Sequence, residues 1–552
     1  MKATIPKAAF SGHHLPSTFP LPFSSKLPEN DDSTLKILSN TSLGIVGATV
    51  ASGPIAASPS FHLLIPASEA NANLCKTVLS AFILNYPPPT LINFGKTFTG
   101  ESWDKGTHTG KIHGIYEFLM DRKQVDDQDL VLIIDGYDVW FQLPPEVLIR
   151  RYHSIIRSAN ERLRRKYGIC NREKPGEGGR SERTSRYAQT VIYAADKLCW
   201  PNAAEDPACA AVPLSTLSKS SYGADTDKDP HGFLNRPKHL NSGTVIGPAS
   251  DLRAIFGYAT DKVKKYGRGD LGDQFVFNEI FGEQEYQREA MRRSGQSTGG
   301  RWLEWLSNAL DTSKSLSNVT MNNLTTIPGQ RYEYGLALDY ESQLFQTLTH
   351  SHGDIDYLYY NDTDTLAHVQ EQHHIPAAHP LSLPIDIQRA IPPISTHLST
   401  QIGELGTLPT TPHLDSIPTN LTWSNIPLAT NPHVPSIPAI LHFNGDKSYL
   451  STWWTKMWYQ PYARSLLRRY MRSPQGPIAA HAAAVGDDRW WDTRGGKGGV
   501  WTDTAQWMEW GELCKGYEDE VFGDGKGVWG QEDGVQKIYN SFGKLIQGEP
   551  DE

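Results

Sequence analysis

The first sustained pattern of hydrophobic and polar positions begins near residue 60. FHLLIPAS (61–68) is an apolar run that ends in small and polar residues, the pattern of a buried strand. Asn71 to Asn85 then places Leu74, Val78, Ala81 and Phe82 on one helical face. TLINFG (90–95) predicts a second short strand and Thr107 to Asp121 a helix. LVLIID (130–135) is apolar up to its last residue, as expected where both faces of a parallel sheet are covered. Pro144 to Arg165 reads as a helix with a basic exposed side, and TVIYAAD (190–196) and LNSGTVIG (240–247) read as strands. Asp251 to Lys265 and Asp273 to Phe281 carry helical spacing. YGLALD (334–339), IDYLYY (355–360) and AILHFNG (439–445) are late strands, and 446–470 reads as helical, with Trp453, Trp454 and Trp458. Strands alternating with helices predict an α/β fold, with nucleotide binding at the C-terminal ends of strands.

Several segments break the pattern. Residues 1–58 are rich in Pro, Ser and small residues and read as a flexible leader. Residues 171–187 (NREKPGEGGRSERTSRY) form a charged, Gly-containing stretch expected as a mobile loop. Residues 367–437 are rich in Pro, His and Thr without periodicity, which predicts a long, poorly packed surface insertion. A Trp- and Gly-rich extension occupies 471–552. The expected organisation is a leader (1–58), one α/β domain (59–470) interrupted by the Pro-rich insertion, and the extension.

Composition narrows the function classes. In 552 residues, 38% are hydrophobic and 20% charged, which fits a globular chain. A net charge of −9 argues against a nucleic-acid binder. It does not argue against a nucleotide-sugar site, where a metal ion neutralises the diphosphate locally. The five cysteines contain no CxxC pair, so a zinc ribbon is not expected. Cys199 and Cys209 flank a short loop and read equally well as a local disulfide or as two free thiols. Sequons at Asn40, Asn318, Asn323, Asn361 and Asn420 are compatible with a secretory route. The most apolar stretch outside the domain, 43–57, is short, contains Gly and Pro and lacks a basic flank, so no membrane anchor is expected from it.

The candidate chemistry begins with DGYD, Asp135 to Asp138, directly after the apolar strand. Residues i and i+3 of an extended strand face opposite ways, so the chain must turn at Gly136 for the two carboxylates to converge. Such a pair suits a hard cation bound together with a diphosphate, although an acidic turn capping the next element would look the same. LHFNG places His442 after a strand far downstream, where a third ligand or a structural histidine would fit. LNSG (240–243) reads as a turn whose amide and hydroxyl groups can bind a sugar, or as an ordinary turn. GRGDLGDQFVFNEIF puts Asp270, Asp273 and Gln274 at a helix start, where acidic residues are favoured for electrostatic reasons alone. Trp103 and Tyr137 lie near strand ends and can stack on a base or pack in the core.

The order of these pieces resembles the glycosyltransferase domain of the multifunctional procollagen lysyl hydroxylases. The matching blocks are WDKGTHTGK (103–111), LVLIIDGYDVWF (130–141), VIYAADKLCWPN (191–202), LNSGTVIG (240–247), GDQFVFNEIF (272–281), LALDYESQLFQTL (336–348) and LHFNGDKS (441–448). They are collinear and cover about 60–450. The resemblance implies an α/β fold of GT-A type, a Rossmann-like mixed sheet flanked by helices with long loop insertions, a UDP-hexose donor (glucose or galactose) and Mn²⁺ or Mg²⁺. It implies Asp135, Asp138 and His442 as metal ligands and Trp103 and Tyr137 at the uridine. Lys111, Asn444 and Gly445 would lie near the diphosphate, with Trp200, Asn241 and Asp273 toward the donor sugar or acceptor. It also implies a protein or glycan acceptor in the ER or Golgi lumen. Two departures stand out: the family's run of aspartates is reduced here to Asp270 and Asp273, and its HGNG turn is HFNG.

Two other readings compete. HGD (352–354) and HLD (413–415) match the His-x-Asp pair of an iron and 2-oxoglutarate hydroxylase, but neither sits among alternating strands. A glycosyltransferase fold that binds sugar or a partner without transfer would carry the same motifs.

Overall fold

The computed structural model describes residues 59–99, 106–173, 181–266, 272–295, 327, 329–375, 380–390, 392, 412–418, 420–472 and 498–532. All fall within the larger compact unit, Ala57–Glu552. The expected leader, Trp103 and Asp270 lie outside the described residues.

The strands, in chain order, are β1 (Phe61–Pro66), β2 (Thr90–Ile92), β3 (Leu130–Ile134), β4 (Val139–Phe141), β5 (Ile169–Glu173), β6 (Ser181–Ser185), β7 (Val191–Asp196), β8 (His239–Pro248), β9 (Leu336–Asp339), β10 (Phe345–Thr347), β11 (Asp356–Leu358), β12 (Leu428–Thr430), β13 (Ile440–His442), β14 (Gly499–Thr502) and β15 (Trp507–Glu509). The first six helices are α1 (Ala72–Ile83), α2 (Thr107–Met120), α3 (Pro145–Tyr167), α4 (Pro207–Ala210), α5 (Ala249–Tyr266) and α6 (Gly272–Ser294). The main sheet has eight strands in the order β15-β14-β2-β1-β3-β8-β7-β9. Neighbours are parallel from β14 through β2 and β1 to β3, and again between β7 and β9. β8 runs antiparallel to both β3 and β7. This is an α/β fold, as the alternation of strands and helices predicts, and its sheet is mixed.

Side-chain alternation along each strand explains the unbroken apolar runs. In β3, Leu130, Leu132 and Ile134 enter one core while Val131 and Ile133 enter the other. In β1, Phe61, Leu63 and Ile65 face the first core and Leu64 the second. The first core holds α1, β4, β13 and the tryptophans of 453–458, and the second holds residues of α2, α5 and α6. A strand that feeds two cores has no face left for polar residues.

The structure corrects several expectations. LNSG is not a separate turn but lies in the first half of the ten-residue strand β8, opposite a register shift at Tyr193/Ala194 in β7. The charged stretch 171–187 contributes β5 and β6, which pair as an antiparallel hairpin. The stretch 446–470 is not one helix. It breaks into the turns Tyr449–Thr452, Trp454–Lys456 and Gln460–Tyr462 before the helix Ala463–Arg472. AILHFNG joins a separate three-stranded sheet, β10-β13-β4.

The Pro-rich insertion also packs where it is described. Trp423, Ile426, Leu428, Ala429 and Ile437 are buried in the first core. Two polar side chains hold it there. Gln142 donates to the carbonyls of Ala429 (3.1 Å) and Pro438 (2.9 Å) and accepts from Ala429 N (2.7 Å). Arg151 donates to Gln343 O (2.8 Å) and Ile437 O (2.6 Å) and pairs with Asp386 at 2.6 Å. Buried polar groups satisfied this fully supply order that periodicity cannot reveal.

The Trp- and Gly-rich region beyond 470 supplies β14 and β15 to the main sheet, so the sheet extends past the expected boundary. Cys75 of α1 is disulfide-bonded to Cys514, and Cys199 to Cys209. Two disulfides are compatible with a secreted or lumenal protein. No helix among the described residues is long and apolar enough to cross a membrane.

Two stability predictions follow from these contacts. Cys75–Cys514 closes a loop of sequence separation 439, so Cys514→Ser is expected to cost about 2–5 kcal/mol in denaturant unfolding. An equal midpoint for variant and wild type under non-reducing conditions would refute this. Glu146, in the first turn of α3, is buried, and burial pushes its carboxyl up to about 7. Its folded pKa exceeds its unfolded value, so the native state prefers it protonated. Its contribution to stability is whole below about 4.5 and is lost as pH rises toward 7. Glu146→Gln should therefore exceed wild type in stability at pH 8 by up to about 3 kcal/mol, with the gap closing toward pH 4.5. A gap that does not vary with pH would disprove the assignment.

Candidate metal centre

β3 delivers Asp135 to the sheet edge, and its N–H donates to Gly243 O of β8 at 2.8 Å. The next residue, Gly136, does not need an unusual backbone angle. A Cβ there would lie 2.6 Å from Pro66 O, so the requirement is close passage of β1 rather than the turn itself. The chain then turns and enters β4 directly after Asp138. β13 runs antiparallel to β4, with His442 opposite Val139, and Phe443 N donates to Asp138 O at 2.7 Å. This pairing sets the imidazole beside both carboxylates. His442 Nε2 lies 3.6 Å from Asp135 Oδ2 and 3.5 Å from Asp138 Oδ2. One ligand atom from each of the three falls within 4.8 Å of the others, so the group can hold a metal ion.

The imidazole is oriented from behind. Gly243 N–H can only donate, and it donates to Asn241 Oδ1 at 3.0 Å, so that atom is the amide oxygen. The amide nitrogen donates to Asp196 Oδ2 at 2.9 Å. His442 Nδ1, 3.1 Å from the same Oδ1, must then carry a proton and donate. The Nε2 lone pair of the neutral ring is left facing Asp135 and Asp138, as a metal-binding histidine requires. Gly243 permits the approach, because a Cβ there would sit 2.1 Å from His442 Cε1 and 2.7 Å from Asp135 Oδ2.

Two lysines balance the charge. Lys111 of α2 is buried and donates to Asp135 Oδ1 (2.6 Å) and Asp273 Oδ2 (2.7 Å). Burial opposes its ammonium, but Asp135 and Asp273 outweigh that and hold its pKa above the ordinary lysine value. Lys447, on a side chain 56% exposed, reaches Asp138 Oδ2 at 2.5 Å. Burial raises the pKa of Asp135, assisted by Asp138 and Asp273 and opposed by Lys111 and His442. Burial also opposes ionisation of Asp138, yet His442 and Lys447 hold its carboxyl below the usual range. His442 is likewise desolvated, and Asp138 and Asp135 keep its pKa raised.

These groups open onto a cleft of about 620 Å³ at the C-terminal ends of β1, β2 and β3. Asp135, Asp138, Tyr137, Lys111, Asp273 and Lys447 line it. The Tyr137 hydroxyl accepts from Ser68 N (3.0 Å) and Glu69 N (3.2 Å) and donates to Glu69 O (3.1 Å), which fixes the ring against the end of β1. Asp273 is pinned by Lys111 and by Ser242 Oγ at 2.9 Å.

The other predicted residues stand elsewhere. Asn241 is behind His442. Asn444 accepts from the N–H groups of Leu348 (2.9 Å) and Thr349 (3.0 Å), and Gly445 continues that turn, so both brace the chain after β10. Trp200 is 66% exposed on the Cys199–Cys209 loop and does not line the cleft. The His-x-Asp pair at 352–354 is committed elsewhere, because Asp354 is buried against Lys197 (2.6 Å) and the Tyr222 hydroxyl (3.0 Å).

Sequence reasoning missed Lys447 and Asp196. Asp196 carried a readable signal, since VIYAAD ends in a carboxylate just as LVLIID does. Lys447 follows the HFNG turn, where a cation balances a nearby acidic pair. A scan against known protein families and a search of curated proteins both return no match to this chain.

In a calorimetric titration with Mn²⁺, His442→Ala should weaken binding at least about 100-fold, and Asn241→Ala, which frees the imidazole, about 10–100-fold. Binding unchanged in both variants would rule the centre out.

Proposed function

We propose that the chain is a metal-dependent glycosyltransferase that moves a hexose from a UDP-sugar to a hydroxyl of a protein or glycan acceptor. The observation that carries the reading is the Asp135–Asp138–His442 group at the mouth of a cleft on the strand C-termini. Such a position in an open α/β sheet is where nucleotides bind. The collinear resemblance to the glycosyltransferase domain of the procollagen lysyl hydroxylases supports the same reading.

The donor set fits Mn²⁺ or Mg²⁺: two carboxylates and one imidazole nitrogen whose partner nitrogen is tied to an amide. Bound there, the cation supplies Lewis-acid stabilisation of the diphosphate leaving group. The rest is done by the chain's own groups. Lys447 is exposed and held only through its ammonium, which donates to Asp138 and to Phe443 O (2.9 Å), so it can turn from Asp138 to a phosphate oxygen. Lys111 cannot leave its two carboxylates without stranding them, and it holds Asp135 and Asp273 in place. The Tyr137 ring, fixed through its hydroxyl, offers a face to the base. In the transfer, the bond from the anomeric carbon to the diphosphate oxygen breaks, a bond to the acceptor oxygen forms, and the acceptor proton passes to the departing diphosphate or to water. Lys111 beside Asp273 helps to hold that carboxyl below the usual range against the effect of burial, so Asp273 orients the site rather than receiving the proton.

Incubation with UDP-glucose or UDP-galactose and Mn²⁺ should release UDP, and EDTA should stop the release. His442→Ala should reduce the rate at least about 100-fold, the scale of losing a group that acts on transition-state charge. Release that is indifferent to EDTA, or absent with both donors, would overturn the proposal.

A further inference from the structure

Among the described residues four lysines are buried: Lys76, Lys111, Lys197 and Lys262. Three have carboxylate partners: Lys111 with Asp135 and Asp273, Lys197 with Asp354, and Lys262 with Glu279 and Glu283. Lys76 differs. It is 7% exposed, its Nζ is not fully enclosed, and among the described residues its ammonium makes no hydrogen bond and no ion pair. Its surroundings are the face of Trp454, 5.6 Å from Nζ, and the field of Glu520. Burial pulls its pKa below the ordinary lysine value, with Glu520 opposing. An ammonium at a cleft wall without a protein acceptor keeps its donors free for a ligand.

Lys76 lines the cleft together with Asn73, Leu450, Ser451 and Glu520. The metal group and Lys447 already provide for a diphosphate. Glu520, exposed on the short helix Glu518–Phe522, would repel a second anion on the Lys76 wall. A donor beside an acceptor instead complements a neutral ring that presents a carbonyl next to an N–H. Uracil has that arrangement at O4 and N3–H. Cytosine reverses it, with an amino group at position 4 and an acceptor at N3.

We propose that Lys76 and Glu520 read the base of the donor nucleotide, Lys76 donating to uracil O4 and Glu520 accepting from N3–H, so that the cleft selects uracil over cytosine. This rests on the nucleotide-sugar reading of the same cleft. It also gives the C-terminal segment a role in specificity, because Cys514 and Tyr517 tie that segment to Cys75 and to Ala70 O, around the first turn of α1.

The test is calorimetric binding of UDP and CDP to the full chain in the presence of Mn²⁺. Wild type should prefer UDP by at least about ten-fold. Lys76→Met should weaken UDP about 10–100-fold, leave CDP within about two-fold, and leave Mn²⁺ affinity and the melting temperature no lower than wild type. Glu520→Gln, at an exposed position where folding is not at stake, should weaken UDP about three- to ten-fold without weakening CDP. A UDP-to-CDP ratio unchanged in both variants overturns the assignment, as does equal binding of the two nucleotides by wild type. In either result the nucleotide-sugar reading survives. If Mn²⁺ binds but neither nucleotide does, the donor reading itself falls and the base assignment falls with it.

Discussion

Three residue pairs of antiparallel β-structure hold the site together. β13 lies against β4 with Ile440 opposite Phe141, Leu441 opposite Trp140 and His442 opposite Val139. Only this register sets the imidazole between Asp135 and Asp138, and a one-residue slip would turn it to the other face. The pairing is locked by burial. Trp140 is fully buried against Phe443, with ring centroids 4.1 Å apart, and against Trp454 at 5.0 Å. The phenylalanine that distinguishes HFNG from HGNG is therefore part of the clamp on the sheet beneath the site.

That clamp forces like charges together. Asp135 and Asp138 have oxygens within 4.8 Å of each other, a repulsion on the order of 3 kcal/mol at an effective dielectric of about 20. Lys111, Lys447 and His442 offset it in the absence of a cation. They differ in how they can respond to a ligand. Lys111 is buried and bonded to two carboxylates, His442 is fixed through Asn241, and Lys447 is an exposed arm. A cation can take over the Lys447 contact while the rest of the site stays as built.

The parts of the chain without periodicity are ordered by other means. Gln142 and Arg151, on β4's exit and on α3, bind the carbonyls of the Pro-rich segment and draw it into the core. The C-terminal segment is fixed by a disulfide, by parallel pairing of β14 with β2, and by Asp503, which accepts from Asn93 N at 2.9 Å. It thereby brings Glu520 to the cleft.

What the sequence determined by itself is what short-range physics writes along it. The apolar runs of β1, β3 and β7 declare strands that feed two cores, and the spacing in α1, α3 and α5 declares helices. DGYD at the end of β3 declares a pair of carboxylates at a strand terminus, because a strand buried on both faces cannot continue into charge. The partners were decided by tertiary structure. LNSG looks like a turn locally, yet it lies within β8, where Leu240 and Asn241 pair with β7 before the register shifts, and Gly243 is the gap into which His442 fits. Nothing near Cys75 announces Cys514, and nothing near Lys76 announces an ammonium without a partner, since both depend on segments that meet only in the folded chain. Lys447 and Asp138, 309 residues apart, share a hydrogen bond for the same reason. Local pattern reports the free energy of neighbours in sequence, whereas the site is assembled from neighbours in space.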